Sequence, residues 1–191
     1  MNPLLIDVPE TIETPRLILR APRAGEAEEM NKAVHESINE LQPWMPWANP
    51  APDLAATRIF CQNSLADFAL RRELGYRAHL RETGLFAGNI SILRMNWNVP
   101  RFEIGYWIRT SLAGGGYASE AVAALTRLAF DSFKAARVEI QTDELNTRSR
   151  RVAERAGFVL EGILRNQYRH RNGELRNACV YSRIAAQPVG G

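Results

Sequence analysis

Trp107-Ile-Arg-Thr-Ser-Leu-Ala-Gly-Gly-Gly-Tyr-Ala-Ser-Glu-Ala121 runs from a strand into a helix through three consecutive glycines, and the reading of the chain turns on it. Upstream, Phe102, Ile104, Tyr106 and Ile108 form one apolar row. Arg101, Glu103, Gly105 and Trp107 form the other, which is the period-two pattern of a strand. Downstream, Ala118, Ala121, Val122, Leu125, Leu128 and Ala129 recur at helical spacing and predict a helix from about Tyr117 to Phe133. Glycines accept positive φ and let another group come close to the backbone. A helix N-terminus adds unpaired N–H groups and a partial positive charge. Strand, glycines and helix together make a main-chain cradle for a pyrophosphate. A bare glycine triplet also serves as a flexible turn, and it is the placement directly between strand and helix that favours the cradle. The segment has no GxGxxG and no Gly-Lys-Ser/Thr, so it is neither a dinucleotide fingerprint nor the phosphate loop of a nucleotide hydrolase.

Working outward, Arg16 to Arg20 reads as a strand closed by Pro22, and Ala24 to Asn39 as a helix. Leu41-Gln-Pro-Trp-Met-Pro-Trp47 follows, where two prolines forbid a helix interior. Trp44, Met45 and Trp47 therefore either line an acceptor pocket or pack in the core. Ala51 to Arg72 reads as a helix, and Gly75 to Arg81 and Phe86 to Met95 as paired strands. Arg137 to Thr142 is a strand, Asn146 to Ala156 a helix that Gly157 ends, and Phe158 to Arg165 and Ala178 to Ile184 are the last strands. Several strands adjoin without a crossover helix, which predicts an α/β (α+β) fold with a mixed, mostly antiparallel sheet.

The 191 residues fit a single domain, 1–191, with a core over about 12–185 and short flexible ends. Two distant cysteines without CxxC spacing point to a reducing compartment and to neither a disulfide scaffold nor a zinc site. His35, His79 and His170 are too scattered for a metal. The one apolar run near the start, Leu4 to Ile6, meets Asp7 at once, and no stretch approaches the roughly 20 residues of a membrane span. The chain therefore reads as soluble and cytoplasmic, with no membrane partner. A net charge of +3 is too weak to imply nucleic acid. The charge is uneven, with eight arginines against three glutamates between Asn146 and Arg176, which is either a solvated helix and hairpin or a basic face for phosphates or an acidic partner.

Two polar residues stand out against this frame. Glu103 lies in the strand row of Gly105 and Trp107, where a partly apolar surface raises a carboxylate's pKa and suits it to a base, unless it is an ordinary cross-strand partner. Ser149 shares a helix face with Val152, Ala153 and Ala156, so its hydroxyl points inward, toward a reacting group or back onto its own helix. Asn146 stands at the N-cap position of that helix. Cys61 has no evident base beside it, which argues against a covalent cysteine mechanism. Arg109 and Arg150 are candidates for phosphate contact. A bulge at Gly105 is expected to splay the strands and to leave a main-chain N–H near Ile104 to Tyr106 for a carbonyl oxygen.

Ala113-Gly-Gly-Gly-Tyr-Ala118 resembles the coenzyme loop of the GNAT acetyltransferases, Gln/Arg-x-x-Gly-x-Gly/Ala. It matches at Gly116 and Ala118 and departs at Ala113, where the family has Gln or Arg. The stretches Glu13-Thr-Pro-Arg-Leu-Ile-Leu-Arg20, Leu41 to Trp47, Glu103-Ile-Gly-Tyr-Trp-Ile108, Gly116 to Ala121, Asn146-Thr-Arg-Ser149, and Ala156-Gly-Phe158 with Glu161-Gly162 are similar, in that order, to the RimL/RimJ branch that acetylates ribosomal-protein N-termini. Asn177 stands where that pattern has an aspartate. The resemblance covers about residues 12 to 184 and implies a GNAT-like sheet of six to seven strands flanked by helices. It further implies acetyl-CoA as co-substrate with no metal, and direct transfer in a ternary complex to a primary amine. That amine is a protein N-terminal α-amine, on an acidic ribosomal or other protein, or belongs to a small molecule. A non-catalytic module that binds coenzyme A or a partner is the alternative. Tyr106, Ile108, Ala113, Gly114, Gly115, Gly116, Tyr117, Ala118, Asn146 and Ser149 then contact the coenzyme. Glu103 acts as base, Ser149 protonates the thiolate, and Trp44 and Trp47 face the acceptor. A homodimer, common among such relatives, is compatible with the sequence.

Overall fold

The computed structural model describes residues 2–185. One sheet organises the chain: β1 (Thr11–Glu13), β2 (Leu17–Arg20), β3 (Leu74–Leu80), β4 (Phe86–Asn96), β5 (Arg101–Ile108), β6 (Arg137–Asp143), β7 (Val159–Arg169) and β8 (Leu175–Ile184), in spatial order β1-β2-β3-β4-β5-β6-β8-β7. All neighbours are antiparallel except β5 and β6. The helices are α1 (Ala27–Glu36), α2 (Ile38–Leu41), α3 (Leu54–Ala69), α4 (Tyr117–Asp131) and α5 (Thr147–Arg155). The mixed, mostly antiparallel α/β architecture expected from the sequence is the one observed. It has eight strands rather than six or seven, because the three residues of β1, too short to display a period, pair with β2. No helix among the described residues is long and apolar enough to cross a membrane.

Local chemistry sets the element ends. The helix expected over Ala24 to Asn39 breaks at Ser37, whose φ of −103° and ψ of 8° leave the helical well. Asp53 starts α3 by accepting the Ala56 N–H at 2.7 Å. The last hairpin is longer than periodicity alone suggested, with Tyr168 paired to Arg176 and Arg169 to Leu175.

The alternation in β5 sorts the two faces. Phe102 and Ile104 pack with Ala121, Val122, Leu125 and Ala129 of α4 in the larger core, together with Leu17, Leu19, Ile90 and Ile92. Complete burial of a side chain such as Leu125 contributes about 2 kcal/mol. Trp107, of the opposite row, packs against a second cluster built from Met30, Ala33 and Val34 of α1 and Cys61 of α3. Helices thus cover both faces of β5.

The feature that makes a site is a parting of strands. β5 pairs with β4 as far as Ile108, opposite Gly88. With β6 it pairs only at Arg101↔Arg137, Phe102↔Val138 and Glu103↔Glu139. Beyond Glu103 the two parallel strands diverge, and the β6-facing peptide groups of residues 104–108 have no strand partner.

Candidate active site

The glycine segment lies at the open end of this gap. A 3-10 turn over Thr110–Leu112 leads into it, Gly114 has φ 82°, and Gly116 occupies the N-cap position of α4 with φ 81°. These left-handed conformations suit glycine and strain other residues. No side chain caps α4. Its first-turn amides are therefore left for a ligand, and the helix end carries the partial positive charge an anion requires.

Across the gap, α5 begins differently. Asn146 Oδ1 accepts the Ser149 N–H at 3.1 Å, so Asn146 is a helix cap. Capping fixes the first turn, and Ser149 faces inward with Ala153 and Ala156 beneath it, as the helical spacing predicted. Its hydroxyl lies 2.9 Å from the phenol oxygen of Tyr106, which also donates to the Ser149 carbonyl at 3.2 Å. Burial pushes the Tyr106 phenol up to about 12, so it remains protonated and a hydrogen-bond donor near neutrality. Tyr106 and Ser149 thereby meet on the α4/α5 side of the sheet, at the level where β5 is unpaired.

Glu103 lies on the other face, at the last rung before the strands part. It is only 7 % exposed. Burial raises its carboxyl above the usual carboxylate range, with the neighbouring Glu139 adding to the shift and Arg94, 2.6 Å away, opposing it. Tyr106 stands three positions on from Glu103, about 10 Å along a strand.

Trp44 is half-buried and helps line a cleft of about 180 Å³ with Glu40, Pro43, Leu145, Asn146, Thr147 and Arg148. Trp47 is 46 % exposed and stacks obliquely on Trp107, ring centres 6.2 Å apart, so neither tryptophan is core. Ile108 ends β5 and Ala113 precedes the glycines, both beside the uncapped helix end.

One sequence expectation needs correction, and the two candidate arginines have partners within the protein. Gly105 forms no bulge: it pairs regularly with Ser91, and the irregularity lies between Leu93 and Asn96, where Arg94 has φ 49°. The glycine at 105 instead makes room, since a Cβ there would come within 2.7 Å of Leu93 Cδ2. Arg109 is committed to Glu36 at 2.6 Å and, through that bond, holds the Glu36 carboxyl down to about 2. Arg150 donates to the Tyr181 hydroxyl and the Glu144 carbonyl, both at 3.1 Å. Arg109 is thus engaged by a carboxylate, whereas the partners of Arg150 are a neutral hydroxyl and a carbonyl.

The sequence reading also missed a buried carboxylate. Asp143 ends β6, and its Oδ1 accepts the Leu145 N–H at 2.7 Å, while Oδ2 accepts no hydrogen bond and stands 3.8 Å from Arg176 Nε. Extending the parallel register past Glu103↔Glu139 puts Asp143 level with Trp107 across the gap. The only sequence signal was an aspartate closing a strand three residues before Asn146. Among the described residues, no three His, Cys, Asp or Glu side chains come together as metal ligands.

Residues 16–159 match the family model described as an acetyltransferase (GNAT) domain. An uncharacterized N-acetyltransferase of Bacillus licheniformis, p20, is 28 % identical over 182 residues, 95 % of this chain and 99 % of that protein. The ribosomal-protein-serine acetyltransferase of Escherichia coli strain K12 is 28 % identical over 83 % of this chain and 89 % of its own length. Among solved structures, RimL, a ribosomal L7/L12 α-N-protein acetyltransferase in complex with coenzyme A, superposes with a TM-score of 0.85 at 25 % identity, over 92 % of this chain and 98 % of that one.

Proposed function

The chain belongs to the GNAT acetyltransferase family, in its RimL/RimJ-like branch, and on that premise we propose that it transfers acetyl from acetyl-CoA directly to a protein N-terminal α-amine within a ternary complex. The observation that carries this reading is the parting of β5 and β6 immediately past Glu103. It leaves an opening through the sheet with Tyr106 and Ser149 on one face, Glu103 on the other, and the uncapped end of α4 at its rim. Bound coenzyme would supply a thioester whose acetyl carbon is the electrophile. The residues fit it: the amides of Gly114 and of Gly116 to Ala118 suit its diphosphate, the Gly115 N–H being turned to the Leu112 carbonyl at 3.4 Å, and the unpaired peptides of 104–108 suit an extended amide-bearing arm.

The chain's own groups then divide the proton work. An α-amine has a pKa near 8 and is mostly charged at neutral pH. Glu103, made more basic by burial, takes its proton through a short chain of waters, because the carboxylate lies about 10 Å down the strand from Tyr106. The nitrogen–carbon bond forms as the carbon–sulfur bond breaks. A main-chain N–H in the 104–106 stretch stabilises the carbonyl oxygen. The Ser149 hydroxyl gives its proton to the leaving thiolate and regains one from the nitrogen, which sheds its second proton through water as the amide forms, while Tyr106 holds that hydroxyl in place.

The acceptor reading rests on charge. Of the nine arginines from Arg148 to Arg183, only Arg176 is in an ion pair among the described residues. Arg148 lines the cleft beside Trp44, and Arg171 reaches Gln42 at 3.3 Å on the loop that carries that tryptophan. An acidic N-terminal segment complements such a rim. On this reading the chain is a single acetyltransferase domain acting in the cytoplasm. Thiol release from acetyl-CoA, measured with acidic and basic N-terminal peptides and with small amines, tests it. Turnover should be fastest with an acidic peptide bearing a free α-amine. Turnover confined to small amines would overturn the acceptor assignment, and coenzyme binding with no release for any acceptor would overturn the catalytic one.

A further inference from the structure

Arg16, in the turn between β1 and β2, reaches across to the glycine segment. Its Nη1 donates to the Gly115 carbonyl at 2.8 Å and its Nε to Glu120 Oε2 at 2.7 Å. Its main-chain N–H donates to Glu120 Oε1 at 2.8 Å, an oxygen that also accepts the Thr14 hydroxyl at 2.6 Å. The guanidinium lies 4.5 Å from the centre of the Tyr117 ring. Arg16 is 49 % exposed, so these directed contacts are not the by-product of a buried charge seeking partners.

We propose that Arg16 is a positioning residue for the coenzyme's diphosphate: by holding the Gly115 carbonyl it aims the Gly116 N–H at the ligand. This rests on the reading of the glycine segment as the diphosphate cradle. A trans peptide is planar, and its C=O and N–H point in opposite directions. The peptide between Gly115 and Gly116 is flanked by the two residues with the widest conformational freedom, so it turns over at little cost unless something fixes it. Arg16 fixes it from the outer side, which directs the Gly116 N–H away from the guanidinium. The same fork occupies Glu120. An acid in the first turn of a helix favours the helix but opposes an arriving anion, and with Arg16 and Thr14 taking both of its oxygens that opposition is neutralised. Lysine cannot substitute, because one ammonium does not reproduce a fork that reaches two acceptors with set geometry.

The test compares acetyl-CoA with S-acetylpantetheine, an acetyl thioester that lacks the diphosphate and nucleotide, in the wild type, Arg16→Met and Arg16→Lys. Calorimetric titration of coenzyme A accompanies it. In both variants coenzyme A should bind about ten- to hundredfold more weakly and kcat/KM for acetyl-CoA should fall alike, chiefly through KM, as expected for the loss of one charge-assisted, oriented contact. Transfer from S-acetylpantetheine should stay at the wild-type rate. Equal losses with both donors would make Arg16 a prop for the fold, and full recovery by lysine would make it a bare charge. Either result overturns the proposal. If Arg16→Met does not fold, Arg16→Lys carries the same comparison. Coenzyme A that binds wild type and variants equally sinks the role of Arg16 alone, whereas no binding to the wild type sinks the cradle itself.

Discussion

Two strand-to-helix connections flank the gap in the sheet, and they are built in opposite ways. Between β5 and α4 the chain passes through Gly114, Gly115 and Gly116, and no side chain caps the helix. Between β6 and α5 it passes through Asp143, which accepts the Leu145 N–H, and Asn146, which caps the helix. The first connection leaves the amides of Gly114 and Gly116 open, turns that of Gly115 to the Leu112 carbonyl, and is braced from outside by Arg16. The second uses its polar side chains internally and in doing so fixes Ser149 against Tyr106. On the proposed reading, one helix end receives the ligand and the other mounts the reacting group. A strand followed by a helix does not by itself suit a phosphate; an uncapped helix end with glycines before it does.

The comparison breaks most visibly at Gly116. Gly116→Val forces a β-branched residue into φ 81° and sets a Cβ 3.3 Å from Arg16 Nη2. Coenzyme A affinity, measured by calorimetry, should fall by about a hundredfold or more, since strain and misdirected amides act together. On the other side of the gap, Ser149→Ala should lower kcat by roughly a hundredfold, the usual contribution of a positioned acid, with coenzyme affinity unchanged. A fall in affinity without a fall in kcat would exchange the two roles.

The local parts of both connections are legible in the sequence. The glycines, the alternating row of β5, the stripe of α4 and the inward face of Ser149 all follow from residues close in the chain, where periods of 2 and 3.6 fix direction. What it withheld depends on contacts across long separations. Arg109 meets Glu36 and Arg16 meets Glu120, and no local pattern marks either arginine as engaged. The divergence of β5 from β6 was assigned to Gly105 because a glycine in a strand suggests a bulge. The observed parting involves no irregularity in β5, only a parallel pairing that stops at Glu139. Asp143 was unremarkable in sequence, and only burial beside Arg176 distinguishes it.

Two smaller effects sharpen the comparison. Asn146→Ala removes the cap of α5 and should cost about 1 kcal/mol in urea unfolding, with a modest fall in kcat as Ser149 loosens. Coenzyme affinity should hold, because α4 begins without a side-chain cap to lose. Glu103→Gln carries a pH signature. Burial raises the Glu103 pKa in the folded protein, so its charge opposes folding once the pH exceeds the ordinary carboxylate range and does not below it. The variant should be slightly more stable than wild type near pH 7, and the gain should vanish as the pH falls through the raised pKa to below about 4.5. Its kcat/KM should lack the acidic limb expected of the wild type. A limb that survives the substitution would assign the base to another carboxylate, with Asp143 the next to substitute.

The difference between the two helix ends is most directly read by amide resonances followed while coenzyme A is titrated into the protein labelled with nitrogen-15. The account predicts large shifts for the amides of residues 114–118, with the Ser149 amide, held by Asn146, moving little. Silent amides at 114–118 beside a strongly shifted first turn of α5 would contradict it, because the capped helix end would then be the one that binds.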